Sequence, residues 1–513
     1  MDPRVQEVGE DRPRRRRRRR RRREEEAAAE FRSLDLRSMT RQFAGLAVFG
    51  LFFLFIIAAP IPMGGNREWA WAPMVVVVGL LGLLCAAGVG GREGLKVSAE
   101  ESTSLLLLGA AFLLFVAVVV LQMSSFAPES ASASFYAKAG GLLHQVLTPI
   151  PSLSVDASRD ALLRCLACGL LFLIARVLFR DRQWAKWLLL VFVTSAVIVV
   201  TYGVYMQVTK GSCYVGNFLK KEGPYMLSDR CVMSGTFVGS NNFGCFAGMA
   251  LVASLALFFD GRRSRRQDET LAYGEQANPI AKWLTGWRVT MAGLSLYFAG
   301  GLLLSASRAG VAATAAGIVA LLYLLLRGRR RISLARLAIV VGVISVAVLF
   351  LAGAAFLHKT SLLGETGSLN RVIIWRASFE AFLQAPWLGW GLGTYNDVYA
   401  IHQPISIPLP NDKAHSTPLE FLVEVGIIGA LPAFAVCALP WAISFLGGLR
   451  RRGERELPAA AFAIAAVAIL HSLADFSLQM PAIAFVVSAV LGLGWAQSFS
   501  QPEKPQRSFA RET

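Results

Sequence analysis

Three basic residues lie where apolar segments of the chain end, and their types suit chemistry on a phosphorylated substrate. Arg308 lies in the small-residue sequence SASRAG, Arg371 in NRVIIWRASFEAF and His415 in HSTPLEFLVEVG. A guanidinium binds phosphate oxygens bidentately and keeps its charge at physiological pH. A histidine near neutral pH can accept a proton from a sugar hydroxyl. The three residues therefore suggest an anion site and a general base.

Each of these residues also has a simpler interpretation. Arg308 could extend its guanidinium to the membrane interface, Arg371 could be a solvated residue on a surface helix, and His415 could be a solvated loop histidine. The neighbours of Arg308 are small and leave room for a large anion. Arginine is also disfavoured at the outer face of a membrane, which favours the anion-binding interpretation for Arg308.

Three further ionisable residues, Glu424, His471 and Asp475, lie inside apolar segments. His471 and Asp475 are four positions apart, a spacing that predicts both on one face of a helix, one turn apart. Ionisable groups inside a membrane span are costly and are usually paired or line a pathway. A transporter would use these groups as a proton relay, whereas a transferase would use them to support its site.

The composition is that of a membrane protein. Hydrophobic residues make up 55% of the 513 positions, and the mean hydropathy is +0.50, which is typical of a polytopic helical protein. Apolar runs of about 20 residues recur, the length that a helix needs to cross a hydrocarbon core of about 30 Å. The sequence predicts an all-α membrane protein with about twelve transmembrane helices, at residues 43–60, 72–90, 104–122, 160–179, 187–207, 241–259, 289–305, 310–327, 337–357, 418–446, 457–479 and 481–498.

The excess of basic residues follows the membrane pattern. Lysine and arginine number 52 against 34 acidic residues, a net charge of +18, which in a soluble chain would suggest nucleic acid as a partner. Here the basic residues lie at the ends of the apolar runs on alternating sides, as the positive-inside rule predicts. We therefore expect no nucleic-acid partner, and we expect both termini in the cytoplasm.

The charge pattern also divides the chain. We expect residues 1–42 to be a disordered, Arg-rich cytoplasmic tail that touches anionic lipid headgroups. Residues 43–498 form the predicted transmembrane domain, and residues 499–513 a cytoplasmic C-terminal tail. The predicted large outer loop, residues 358–417, joins predicted helices nine and ten and is the expected place for catalysis.

Two other segments are predicted on the outer face together with this loop. One is the turn that carries Arg308, between two apolar helices that form a predicted hairpin. The other is a loop that contains Cys213 and Cys231, 18 positions apart. In an oxidising compartment these two cysteines are a disulfide candidate.

The start of the polar loop carries an amphipathic pattern. Apolar residues between Val372 and Phe382, including Trp375, fit a helix that lies along the membrane interface, with one face on lipid and Arg371 pointing inward. No His-x-x-x-His, HExxH or acidic cluster accompanies His415. The sequence therefore predicts chemistry without a metal or other cofactor.

Taken together, these motifs resemble the O-antigen ligase and O-antigen polymerase superfamily of bacterial envelope polysaccharide glycosyltransferases. The resemblance extends over residues 235–484 and rests on four stretches in a fixed order on one side of the membrane. They are SASRAG (305–310), Arg371 and Trp375 followed by PWLGWGLGTY (386–395), His415 followed by Leu419, Glu424 and Gly426, and HSLADFSLQMPAIA (471–484).

The resemblance implies transfer of a glycan from undecaprenyl diphosphate to an acceptor hydroxyl, with inversion and without a metal, at the periplasmic face of the bacterial inner membrane. Arg308 would hold the donor diphosphate as leaving group, and His415 would deprotonate the acceptor. Arg371 would assist the diphosphate or brace the loop. Supporting roles fall to a further set of residues: Trp375, Glu424, His471 and Asp475.

The sequence departs from the family pattern at two places. In GTFVGSNNFGCF (235–246), Gly239 stands where the family has its first asparagine, and the basic residue expected near this stretch is not aligned. Arg230 is the nearest candidate for a second diphosphate-binding arginine. Ser416 stands where an asparagine commonly follows the histidine, which would change how the imidazole of His415 is oriented.

The acceptor is left open. A ligase would transfer the glycan to lipid A-core, whereas a polymerase would extend a lipid-linked exopolysaccharide or O-antigen. Protein O-glycosylation is a third acceptor class in the same superfamily. A polysaccharide transporter or flippase is the alternative of another class, but it would need essential charges at mid-membrane, whereas Arg308, Arg371 and His415 are predicted at the outer edge.

Overall fold

The computed structural model describes residues 44–87, 97–126, 132–210, 232–268, 286–327, 370–404, 412–451 and 454–500. The regular structure in these ranges is helical, which confirms the predicted all-α class. The α-helices are α1 (Ala44–Ala58), α2 (Glu68–Ala86), α3 (Ala99–Gln122), α4 (Ser132–Leu143), α5 (Val155–Leu178), α6 (Arg182–Lys210), α7 (Ser240–Asp268), α8 (Trp287–Leu304), α9 (Arg308–Leu326), α10 (370–384), α11 (Tyr395–His402), α12 (Thr417–Arg450), α13 (Glu456–His471) and α14 (Pro481–Phe499).

Among the described residues, nine helices are long and apolar enough to cross a membrane: α2, α3, α5, α6, α7, α8, α9, α12 and α14. Each coincides with a predicted span. Helices α1 and α13 are apolar but shorter, and the predicted span at 337–357 lies outside the described residues. The structure thus supports a polytopic membrane protein, while the count of twelve stays a prediction.

The core is built around α7 and α14. In the most apolar 18-residue stretch of each helix, 83% of α7 and 78% of α14 is buried, against 22% of α3. Helix α7 packs against α6, α8, α9 and α13, and α14 packs against α5, α12 and α13. Small residues allow this close approach, because a Cβ added at Gly492 of α14 would meet the Phe172 carbonyl and the Ala175 side chain of α5.

The predicted turn at Arg308 is present, because α8 ends at Leu304 and α9 begins at Arg308. Ser307 caps α9 by accepting a hydrogen bond from the Gly310 N–H at 3.1 Å. The two helices then separate, since α8 packs mainly on α7 whereas α9 packs mainly on α13 and α7. The predicted hairpin is therefore a turn between diverging helices.

Helix α12 is broken near its start by Gly426, whose backbone has φ 59° and ψ −171°. The break removes two intrahelical hydrogen bonds. The freed N–H groups of Ile427 and Ile428 instead donate to the carbonyls of Pro386 and Trp387, at 2.8 and 3.2 Å. The PWLGWGLGTY stretch is therefore the segment that fills the break in α12.

The backbone carbonyl groups that the break leaves without intrahelical partners are bound by the same PWLGWGLGTY stretch. Val423 and Glu424 accept hydrogen bonds from the N–H groups of Trp390 and Gly391, at 3.1 and 2.8 Å. Gln122, buried at the end of α3, adds a bond from its side-chain amide to the Glu424 carbonyl at 2.8 Å. The segment of α12 before Gly426, residues 417–425, is thus held by the PWLGWGLGTY stretch and by Gln122. Residues of the candidate site directly precede and begin this segment.

Replacing Gly426 with alanine should destabilise the protein by about 1–3 kcal/mol, because a side chain at this positive φ is strained. The added Cβ would also clash with the Trp387 carbonyl. Gly109 in α3 is the matched control, since nothing lies within 4 Å of a Cβ there. Thermal unfolding in detergent measures both variants, and equal midpoints would contradict the proposed role of the break.

The two ends of the helix bundle carry different charged groups. At one end, buried Glu101 accepts hydrogen bonds from Arg176 and Arg180 at 2.9 and 2.5 Å. At the same end Arg182 pairs with Asp260 at 2.6 Å. The start of α3, the end of α5, the start of α6 and the part of α7 around Asp260 therefore lie together at this end. The starts of α7, α9 and α12 and the end of α13 come together at the opposite end.

Candidate active site

The site is organised around Asp475, and the structure corrects the position predicted for this residue. Helix α13 ends at His471, so Asp475 lies in the turn that follows and not one helical turn along the same face. Polar side chains of the turn bond its own backbone: Ser472 Oγ accepts from the Leu478 N–H at 3.0 Å, and Asp475 Oδ1 from the Phe476 N–H at 2.9 Å. Such local bonds compete with helix formation.

The Asp475 carboxylate joins three segments that are distant in sequence. Its Oδ2 accepts a hydrogen bond from Asn241 Nδ2 at 2.6 Å and lies 3.7 Å from Arg371 Nη2. Its Oδ1 lies 3.4 Å from His415 Nδ1. The side chain of Asp475 is 1% exposed, whereas those of His415 and Arg371 are 25% and 34% exposed. The histidine and the arginine are therefore open to a substrate, and the aspartate behind them is not.

The surroundings of Asp475 keep it ionised. Burial alone would raise the pKa of its carboxyl, but the hydrogen bond and charge of His415, the charge of His471 and the Phe476 N–H outweigh burial and hold the pKa below its ordinary value. The carboxylate is therefore charged at neutral pH.

His415 has an unusual backbone conformation. Its φ is +50°, in the left-handed region that few residues other than glycine adopt. On its N-terminal side, the Ala414 carbonyl accepts a hydrogen bond from Trp375 Nε1 at 2.9 Å. The imidazole lies against the Phe476 ring, with centroids 5.4 Å apart. Trp375 thus contacts the backbone of the residue before the histidine, and its supporting role in catalysis stays a prediction.

Thr417 ties the start of α12 to the turn that carries Asp475. Its N–H donates to the Ser472 carbonyl at 2.9 Å, and its Oγ1 donates to the Asp475 carbonyl at 3.2 Å. These bonds fix the distance between His415, two residues earlier, and the carboxylate. The sequence reasoning did not select Thr417, and a threonine at a helix start carries no distinctive signal.

His471 connects the Arg308 turn to the same part of the site. The buried imidazole places Nε2 at 3.4 Å from Ser307 Oγ and Nδ1 at 2.9 Å from Ser477 Oγ. Ser477 Oγ in turn donates to Asn242 Oδ1 at 2.9 Å. His471 therefore bridges the start of α9 and the turn after α13, and its supporting role stays a prediction.

Arg308 is the first residue of α9 and is exposed. The N-terminus of a helix presents unpaired N–H groups and a partial positive charge. A guanidinium at this position adds a full charge beside them. The start of α9 is therefore suited to an anion, and the bridge through Ser307 and His471 places it next to the turn of Asp475.

Arg371 is the second residue of α10, which has the predicted amphipathic character. Its inner face is buried at Ile374, Ala377 and Ala381, while Arg371 reaches Asp475. Its outer face exposes a set of large apolar residues: Val372, Phe379, Leu383 and, just beyond the helix, Trp387. Helix α10 is thus apolar both on its buried inner face and on its exposed outer face. Contact of the outer face with lipid stays a prediction.

The exposed face of α10 is expected to lie in the bilayer. Trp387 accepts a hydrogen bond from Ile428 at 3.2 Å, and Ile428 and Leu431 of α12 are also exposed, so the apolar surface continues onto a membrane span. A nitroxide at position 383, in a variant without native cysteines, should be accessible to oxygen and shielded from a water-soluble nickel complex. The matched control is exposed Asp397 on α11, and equal nickel accessibility at both positions would contradict lipid contact.

Glu424 supports the loop and lies away from His415. Its Oε1 accepts a hydrogen bond from the Tyr395 N–H at 3.2 Å, and the Tyr395 hydroxyl lies 2.7 Å from Ser378 Oγ on α10. Glu424 therefore joins α12 to α11 and α10. Asn241, which the sequence reasoning quoted only as part of GTFVGSNNFGCF, makes direct contact with Asp475.

Three predicted residues, Arg230, Cys213 and Cys231, lie outside the described residues, so the second diphosphate-binding arginine and the disulfide stay predictions. Within the described part of the chain, no group of three or more His, Cys, Asp or Glu is arranged to hold a metal ion.

One comparison with known proteins found a match for this chain. A family model described as O-antigen ligase matches residues 293–434, which include Arg308, Arg371, Trp375, His415 and Glu424. No curated protein matches the chain. The match confirms the resemblance found in the motifs, and it supports placing this chain in the O-antigen ligase and polymerase superfamily.

Proposed function

We propose that the chain is a metal-independent, inverting glycosyltransferase of the O-antigen ligase type. It transfers a glycan from undecaprenyl diphosphate to a hydroxyl of lipid A-core at the periplasmic face of the inner membrane. The observation that carries the proposal is the meeting of His415 and Arg371 on the buried Asp475 carboxylate. This meeting places a candidate base and a phosphate-binding group side by side.

His415 is the proposed general base. With Nδ1 turned toward the Asp475 carboxylate at 3.4 Å, the imidazole has its Nδ1 proton held, and Nε2 can accept a proton. The acceptor hydroxyl gives its proton to Nε2 as its oxygen bonds to the anomeric carbon. The carboxylate then stabilises the imidazolium that forms.

Arg308 and Arg371 are the proposed ligands of the donor diphosphate, together with Arg230. The bond between the anomeric carbon and the diphosphate oxygen breaks as the new bond forms, so the departing diphosphate gains negative charge. Preorganised guanidinium groups and the N-terminus of α9 stabilise that charge. A single displacement inverts the anomeric configuration, and the three arginine side chains take the place that a divalent cation would hold.

The proposal is tested by the glycan profile of a strain that lacks this protein, with and without a plasmid that restores it. We expect long glycans on undecaprenyl diphosphate and unmodified lipid A-core in the deletion strain, and restored lipopolysaccharide with the plasmid. Single repeat units on undecaprenyl diphosphate would instead identify a polymerase. Lipid-linked glycan retained on the cytoplasmic leaflet would identify a transporter and overturn the proposal.

A further inference from the structure

Glu420 is a buried carboxylate that the proposed chemistry does not use. It lies in the first turn of α12 and is 1% exposed. Its Oε1 accepts a hydrogen bond from Lys413 Nζ at 3.0 Å, and its Oε2 accepts one from the Ala414 N–H at 3.0 Å. Both donors precede His415 directly, so Glu420 turns back onto the segment that carries the proposed base.

The peptide groups around Ala414 are held from two directions. The N–H of Ala414 is bound by Glu420, and its carbonyl is bound by Trp375 Nε1 at 2.9 Å. Ala414 itself is fully buried. On the other side of His415, Thr417 is bound to the Ser472 carbonyl at 2.9 Å. His415 and Ser416 therefore keep partial exposure between two fixed points, Ala414 and Thr417.

These bonds explain how His415 keeps its left-handed backbone. At φ +50° the residue is strained, and such a conformation persists only when its surroundings hold it. A relaxed backbone would turn the imidazole away from Asp475, whose Oδ1 is already 3.4 Å from Nδ1. The bond from Ala414 to Glu420 restrains the backbone one residue before the strained position.

We propose that Glu420 is a positioning residue, which holds His415 in its left-handed conformation with Nδ1 on Asp475 by accepting the Ala414 N–H. This inference rests on the proposed role of His415 as the base. Lys413 neutralises the buried carboxylate, which would otherwise be an uncompensated charge. The hydrogen bond to Ala414, and not the ion pair to Lys413, is the part that matters for catalysis.

A pair of uncharged double variants separates the hydrogen bond from the ion pair. In a Lys413→Met background, Glu420→Gln keeps a carbonyl oxygen for the Ala414 N–H, whereas Glu420→Leu fills the same space without an acceptor. Glu420→Met in the same background is a second apolar variant with a more adaptable side chain. Turnover is measured in proteoliposomes with a purified lipid-linked donor, together with the KM for the donor and the thermal unfolding midpoint.

We expect the glutamine variant to stay within about threefold of wild-type turnover and both apolar variants to fall about a hundredfold, the effect of a misplacement of about 1 Å. The KM for the donor should be alike in the three variants, whereas the two apolar variants should unfold at a somewhat lower temperature than the glutamine variant, because the buried Ala414 N–H loses its acceptor. Equal turnover in all three would overturn the positioning role. His415→Ala is assayed in parallel: if it stays active, the proposed function itself fails, and if it is inactive while the apolar variants are active, only the inference on Glu420 fails.

Discussion

Replacing His415 with alanine is expected to lower glycan transfer about a thousandfold, because general-base catalysis contributes about 10²–10⁴-fold. The substitution removes the group that takes the acceptor proton. The fold should persist, because the hydrogen bonds of Ala414 and Thr417 that hold this backbone at φ +50° do not involve the imidazole. Transfer is measured in proteoliposomes with a purified lipid-linked donor, and binding of the donor should be retained.

His402 is the matched control for this substitution. It is a second histidine of the same loop region, and its Nδ1 lies 2.8 Å from the Val398 carbonyl within α11. Its replacement by alanine should leave transfer near the wild-type rate. If the two alanine variants were equally active, His415 would not be the base.

Asp475→Asn is the companion variant, since an amide cannot stabilise an imidazolium as a carboxylate does. We expect a loss of the same order as for His415→Ala. The pKa of Asp475 lies below its ordinary value because the contacts from His415, His471 and Phe476 outweigh burial. A fall in wild-type activity between pH 7 and about pH 5 would therefore not come from protonation of Asp475.

The membrane fold was largely predictable from the sequence, because hydrophobic length is a local property. Each of the nine apolar helices that are long enough to span, among the residues that the structure describes, coincides with a predicted run. The helix ends were less predictable. The apolar pattern of predicted helix eleven continued beyond His471, but the side chains of Ser472 and Asp475 bond to backbone groups of the turn and end the helix there.

The site was predictable in its residue types and not in its pairings. Arg371 and His415 were selected one by one for the chemistry that their types allow in the predicted outer loop, and Asp475 because ionisable groups inside an apolar segment are costly. That they meet on one carboxylate depends on the packing of α10, α12 and the turn after α13, which no local spacing reveals. Glu420 was not predicted from the sequence for the same reason. Its ion pair with Lys413 and its bond to Ala414 depend on how the chain turns back just before α12.

The structure also shows how the described part of the predicted outer loop is held to α12. The break at Gly426 exposes backbone groups that only a segment such as PWLGWGLGTY can satisfy, and this fixes α10 against the start of α12. Arg371 and His415 are then carried by two elements locked to each other. The strained backbone of His415 is thereby maintained by hydrogen bonds of Ala414 and Thr417, which do not involve the reacting imidazole.

Replacing Arg308 with alanine is expected to lower transfer about a thousandfold, the scale on which a guanidinium that stabilises a departing phosphate acts. The cap of α9 should survive, because Ser307 and not Arg308 accepts the Gly310 N–H. Arg308→Lys keeps the charge but loses the bidentate geometry, so an intermediate loss is expected. Transfer is measured as for His415, with the KM for the donor determined separately.

Arg376 on α10 is the matched control for Arg308. It is exposed and paired with Glu380 at 3.0 Å within the same helix, so its replacement by alanine should leave transfer unchanged. EDTA should not affect the wild-type rate, and added Mg²⁺ should not restore the Arg308→Ala variant, because the arginines act in place of a metal. Full activity of Arg308→Ala would remove its role toward the diphosphate, and restoration by Mg²⁺ would show that a cation binds where the guanidinium had been.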